Sequence, residues 1–167
     1  MEEITPTTTG SYLTFKLDNE HFAVSVMQVT ELLEMLSITK VPRSPEAMRG
    51  VINLRGSVVP VVDMRVKFSL TPKEDDIDTC IVVLNLNLEN EDLKVGAIVD
   101  SVSEVIEINN NEIIPLPSIS KKNHTEFISG VIEQQELFIM VLDAEKIFST
   151  DKLLQIQKTE EILSLKG

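Results

Sequence analysis

Two aspartates, Asp63 and Asp143, close the similar apolar runs Val61-Val62-Asp63 and Val141-Leu142-Asp143. A duplicated unit that brings two carboxylates together is what a shared-proton acid dyad requires, and such a dyad cleaves peptides at acid pH. It also needs small residues after each aspartate so that backbone donors reach the carboxylates, whereas the contexts here are Asp63-Met64-Arg65 and Asp143-Ala144-Glu145. The same aspartates suit caps for short helical segments ending at Phe68 and Phe148. Other reactive side chains are sparse. His21 and His124 lie in polar, turn-like settings with no carboxylate or cysteine at metal-ligand spacing, so neither metal nor other cofactor is expected. Cys80, the one cysteine, opens the run Cys80-Ile81-Val82-Val83-Leu84 and reads as a small buried hydrophobe; an internal disulfide is excluded. There is no nucleophile elbow, phosphate-binding loop or dinucleotide fingerprint. The expectation is a binding protein, with an acid-dyad hydrolase as the alternative.

The binding signal lies in the arginines. Arg43, Arg49, Arg55 and Arg65 are all the arginines of the chain, and the stretch from 40 to 67 also holds Lys40 and Lys67 but only Glu46 and Asp63 among acids. Its charge is therefore 6 − 2 = +4, against −16 for the remainder of a chain at −12. Arginine is favoured at interfaces for its planar, weakly hydrated fork, although a solvated basic face gives the same pattern. The overall negative charge opposes binding to nucleic acid or to an anionic lipid surface.

These residues sit on a strand-rich framework. Leu13, Phe15 and Leu17 alternate with Tyr12, Thr14 and Lys16, the period of a half-buried strand. Asp18-Asn19-Glu20 turns the chain, and a second strand runs from His21 toward Glu34. Ser44 and Pro45 suit the start of one helical turn ended by Gly50. Val51 onward reads as a hairpin broken at Arg55-Gly56. With 4% aromatics and no Trp, Val, Ile and Leu must fill the core, which suits pleated sheets.

This order of events occurs twice. Val29-Thr30-Glu31-Leu32-Leu33-Glu34 is echoed by Val102-Ser103-Glu104-Val105-Ile106-Glu107, and Ala23 by Gly96. Gly50-Val51-Ile52 returns as Gly130-Val131-Ile132, and without a gap Val61 falls on Val141, Asp63 on Asp143 and Phe68 on Phe148. Residues 1–167 therefore read as one all-β domain: a first barrel repeat over 12–70, an acidic linker over 71–78, a second barrel repeat over 79–150 and a C-terminal helix over 151–167. A five-strand unit of this length should curl into a small barrel, and the two barrels should share a core. The copies differ at one turn, where Asn53-Leu54-Arg55-Gly56 becomes Glu133-Gln134-Gln135-Glu136. The fold does not require Arg and Gly there, so the first turn suits contact with a partner, or a positive backbone angle at the glycine. The acidic N-terminus and the lack of a membrane-length apolar run point to a soluble, cytoplasmic protein.

The run Gly50-Val51-Ile52-Asn53-Leu54-Arg55-Gly56-Ser57-Val58-Val59-Pro60-Val61-Val62-Asp63-Met64-Arg65, preceded by Val29-Thr30-Glu31, closely resembles the CheW family of bacterial chemotaxis coupling proteins. The resemblance covers about residues 11–150. It implies two SH3-like five-stranded barrels around a shared core and no enzymatic activity. It implies an adaptor joining the regulatory domain of the histidine kinase CheA to the tips of methyl-accepting chemoreceptors, monomeric when free and recruited to membrane-associated receptor arrays. By similarity, Val29, Cys80, Ile81, Gly96, Val102 and Val105 match positions of a receptor-facing groove, and Glu31 and Arg55 a polar pair near the kinase-facing side. Met64 replaces a usual Leu, and Ser101 stands where many relatives carry glycine, which leaves the turn there open. A variant scaffold built on the same module, or a free-standing copy of the kinase's regulatory domain, shares these features.

Overall fold

The computed structural model describes residues 9–116 and 127–148. Ten strands alternate with short turns: β1 Thr9–Leu17, β2 Glu20–Ser25, β3 Val29–Glu34, β4 Met48–Leu54, β5 Ser57–Asp63, β6 Cys80–Leu88, β7 Glu91–Val99, β8 Ser101–Asn109, β9 Ile128–Gln134 and β10 Leu137–Leu142. Two helices are short, α1 Met64–Lys67 and α2 Ala144–Phe148. The four hairpin turns follow one rule, with two central residues at positive φ: Asp18-Asn19, Arg55-Gly56, Glu89-Asn90 and Gln135-Glu136. That geometry matches the right-handed twist of the strands it joins.

The strands form two five-stranded sheets, β8-β1-β2-β10-β9 (barrel I) and β3-β6-β7-β5-β4 (barrel II). Adding five to each strand number of one, counted around ten, gives the other. The registers obey the same rule, for Val141 pairs with Ala23 in barrel I and Val61 with Gly96 in barrel II, both in parallel. Each sheet curls until its edges meet at equivalent bridges, Ile114 with Val131 and Thr39 with Val51. The duplication is thus real at the level of backbone pairing.

The barrels do not coincide with the sequence repeats, however. The expected partition into a first barrel over 12–70 and a second over 79–150 fails, because β1 and β2 join β8, β9 and β10, while β3, β4 and β5 join β6 and β7. The cause is local. The strand read from His21 to Glu34 breaks at a 3₁₀ turn, Val26–Gln28, capped by the Ser25 hydroxyl, and the chain there passes from one sheet to the other. Only Asp100 separates β7 from β8 at the equivalent crossing. His21 lies inside β2, paired with Lys16 and Ile139, rather than in a turn. The segment before Gly50 forms hydrogen-bonded turns, with the Met48 N–H donating to the Pro45 carbonyl, and not a helix. His124 and the expected C-terminal helix lie outside the described residues.

Alternation along the strands sorts side chains into three cores. Ile52, Leu54, Val59, Val61, Ile81, Val83 and Ile98 fill barrel II. Ala23, Ile106, Ile108, Ile132, Ile139 and Val141 fill barrel I. The other face of each sheet meets its counterpart in a larger shared core, including Leu13, Phe15, Phe22 and Leu142 from barrel I and Val82, Leu84, Leu86 and Val95 from barrel II. Ring contacts extend this core through Phe15, Phe22, Phe68 and Phe127, stacked at each end of the series and tilted between Phe22 and Phe68. A fully buried branched side chain contributes about 1.5–3 kcal/mol, so the shared core dominates stability.

Candidate functional site

The sequence-derived positions divide by where strand alternation sends them. Ile81 is fully buried inside barrel II, and Gly96 lies against it: a Cβ on Gly96 would sit 2.9 Å from the Ile81 Cγ2. These two pack the interior of barrel II. Val29 and Val102 are opposite Leu84 and Phe15, so both point toward the shared core and are half-buried against it. Cys80 packs on the same core. Burial pushes its thiol up, opposed by a hydrogen bond from the Val102 backbone, which places these two residues together. Val105, opposite Leu13, is 56% exposed.

The sequence repeat sets Val29 against Val102. The repeat sets Leu32 against Val105, and the structure leaves Leu32 47% exposed opposite Val82. Each sheet thus carries, on an edge strand and facing the inter-barrel side, one half-buried valine and an exposed aliphatic residue three positions on. The edge strands β3 and β8 are the rims of the shared face. The available signal was the sequence repeat, which required reading every equivalent pair rather than the identical ones.

Glu31 and Arg55 are brought together. Arg55 leaves the turn of the β4–β5 hairpin and donates from Nη1 and Nη2 to both carboxylate oxygens of Glu31 on β3, at 2.6 and 2.9 Å. Arg55 holds the Glu31 carboxyl below its usual range, and Glu31 raises the guanidinium in return. The equivalent positions in the other copy, Glu104 and Gln135, cannot form an ion pair. Both charges stay near solvent, with 71% of the Arg55 side chain accessible, so the pair adds little to stability. What it fixes is orientation: a bidentate fork holds one exposed guanidinium edge in place.

The basic stretch from 40 to 67 is not a free basic face. Arg49 donates to Asp63 at 2.9 Å and to Asp75 at 2.6 Å. Arg65 donates from Nε and Nη2 to Asp100 at 2.7 and 2.6 Å and from Nη1 to the Thr71 carbonyl at 2.7 Å, with Asp18 3.6 Å away. Asp75, Asp100, Asp18 and Glu31, all from outside the stretch, pair with three of its four arginines, which the local charge count could not reveal. The acid dyad is excluded by the same geometry. Asp63 Oδ1 accepts from the N–H groups of Arg65 and Val66 as the cap of α1, and its Oδ2 is taken by Arg49. Asp143 accepts from the Lys146 N–H at the start of α2. Among the described residues no cluster of three or more metal-ligating side chains occurs, and no helix is long and apolar enough to cross a membrane.

Two fused barrels with an apolar rim on the shared face and a fixed, exposed ion pair define a protein-binding β module of the scaffold class. Comparison with known proteins agrees. The model of the CheW-like domain matches residues 11–152. The chemotaxis protein CheW of Klebsiella aerogenes is 32% identical over 142 residues, covering 85% of this chain and 83% of its own. That of Bacillus subtilis is 30% identical over 139 residues, covering 83% and 86%. The crystal structure of the scaffolding protein TtCheW from Thermoanaerobacter tengcongensis superimposes with a TM-score of 0.72 at 29% identity, covering 87% of this chain and 92% of that one. This chain belongs to the CheW family of chemotaxis scaffold proteins and is not an enzyme.

Proposed function

We propose that this protein couples chemoreceptors to the histidine kinase CheA in cytoplasmic, receptor-associated arrays, through two separate contacts. The observation that carries the reading is the repeated apolar rim: Leu32 and Val105 are exposed at equivalent points of the two edge strands, beside Val29 and Val102. An apolar stripe on a receptor helix fits such a rim, since a groove lined by few aliphatic anchors is how amphipathic helices are held. Val29, Cys80, Val102 and Val105, joined by Leu32, form the receptor contact; Ile81 and Gly96 shape the wall behind it. The kinase contact centres on Arg55, presented by Glu31. No bond is made or broken, and receptor state reaches the kinase as a shift in the population of its active form.

Val105→Glu tests the first contact. The side chain is largely exposed, so the fold tolerates the change, while a carboxylate pressed against an apolar partner is costly. Capture of purified receptor signalling domain should fall at least about tenfold with an unchanged melting curve, a loss of about 1.4 kcal/mol in binding. Undiminished capture would remove Val105 from the site. Arg55→Ala tests the second contact. Kinase binding is expected to weaken while receptor capture and the melting midpoint stay as in wild type, because the other copy keeps the same turn with Gln135 in place of arginine. Unaltered kinase binding in a pull-down with purified CheA would sink the assignment.

A further inference from the structure

Each barrel is completed by strands from the other half of the chain. β1 and β2 supply two of the five strands of barrel I, and β6 and β7 two of the five in barrel II. Either half alone therefore lacks strands in both barrels and leaves its side of the shared core bare, with Phe15 and Phe22 on one side of the divide and Leu84 and Leu86 on the other. The surface each half presents is complementary to the opposite half, and a second copy of this chain carries that half in the same form. Segment 71–78 is what joins the two halves.

We propose that two copies of this protein can close on each other by exchanging halves through segment 71–78, giving a dimer of two complete modules. This inference rests on the strand topology and is independent of the coupling function proposed above. Contacts inside each module are those of the monomer, so chain concentration and the conformation of the joining segment set the balance between the forms. In the monomer that segment is strapped down. Thr71 accepts from Arg65 through its carbonyl, Asp75 pairs with Arg49 at 2.6 Å, and Lys73 pairs with Asp76 at 2.8 Å. Asp76 also accepts from the N–H groups of Asp78 and Thr79, closing a tight turn. These contacts hold the segment in its closed course and favour the monomer. An exchanged dimer would carry two apolar rims and two Arg55 hairpins on one body, a bivalent form of the same scaffold.

Complementation between full-length chains tests the proposal. Val61 and Val141 occupy equivalent, fully or almost fully buried positions in different halves, and Val61→Asp or Val141→Asp alone should prevent refolding. When the two variants are denatured together and returned to native buffer at high concentration, a Val141→Asp chain supplies an intact first half and a Val61→Asp chain an intact second half. The mixture is expected to recover about half of the wild-type folded signal, one native module per exchanged pair, at the mass of a dimer. A mixture of Val61→Asp with Val59→Asp, both in the first half, should recover nothing. Equal recovery, or equal failure, of the two mixtures overturns the proposal. Should a single variant refold unaided, wild type refolded across a concentration series decides by light scattering. A dimer fraction that rises with concentration, and rises further in Asp75→Asn, supports exchange; a monomer at every concentration refutes it.

Discussion

Gly50→Ala is expected to abolish the folded protein or to destabilise it by about 3 kcal/mol or more, among the largest costs a single methyl group can impose. The reason is the closure of barrel II. Thr39 and Val51 exchange two backbone hydrogen bonds, of 2.9 and 2.8 Å, and this bridge pulls the segment after β3 onto β4 beside Gly50. A Cβ at position 50 would lie 2.2 Å from the Thr39 carbonyl oxygen and 2.8 Å from the Ile38 Cγ2. Backbone on one side and a barrel wall on the other leave no room to retreat. Gly130 does the same for barrel I, where a Cβ would meet the Ile113 Cγ2 at 2.5 Å and the Ile114 carbonyl oxygen at 2.7 Å. Its first obstacle is a side-chain methyl that has some freedom, so Gly130→Ala should cost less than Gly50→Ala. Thermal melts of both variants check the order, and a Gly50→Ala protein melting like wild type would show that the bridge yields.

Arg65→Met should cost about 2 kcal/mol at neutral pH, because it strands a carboxylate rather than because it loses a surface pair. Arg65 is buried, and its partner Asp100 keeps a side-chain exposure of 17%. Burial pushes Asp100 up, but the Arg65 guanidinium and the Asp18 N–H outweigh it and hold the carboxyl below its usual value. A depressed folded value means that this contribution is complete above the unfolded value, near pH 4, and fades as pH falls through the folded one. In Arg65→Met the stranded carboxylate is destabilising while charged, so the gap from wild type should narrow on acidification as Asp100 takes up a proton. Denaturant titrations at pH 7 and pH 4 measure that gap. The double variant Arg65→Met, Asp100→Asn should recover part of the loss at pH 7. A gap that stays constant with pH would show that Arg65 acts through packing of its stem alone.

Much of this fold was legible because its physics is periodic and repeated. Strand alternation around Leu13 and Phe15, the turn residues at Asp18-Asn19, and the ungapped match from Gly50 to Phe68 against Gly130 to Phe148 depend only on neighbouring residues. The capping role of Asp63 and Asp143 was legible for the same reason. What stayed hidden was which strand pairs with which. Val26–Gln28 is too short to announce that the chain changes sheets, and Asp100 is a single residue, so in the sequence each repeat has the form of a self-contained barrel. The arginine stretch misled for a related reason. Asp18, Asp75 and Asp100 reach it only after folding, and a local charge sum has no access to them. Within the candidate site, a match to family positions did not distinguish Ile81, turned into barrel II, from Cys80 next to it, turned the other way, because one step along a strand reverses the direction of a side chain.

The single residue between β7 and β8 also sets how motion passes through the molecule. Asp100 is anchored on three sides, by the Lys16 carbonyl through its own N–H, by the Asp18 N–H and by Arg65. A joint so short and so firmly pinned has no slack with which to hinge. Under the coupling proposed above, a push at the edge near Val105 would reach the Arg55 hairpin as a displacement of the whole body, in the manner of a stiff lever and not of a flexible tether.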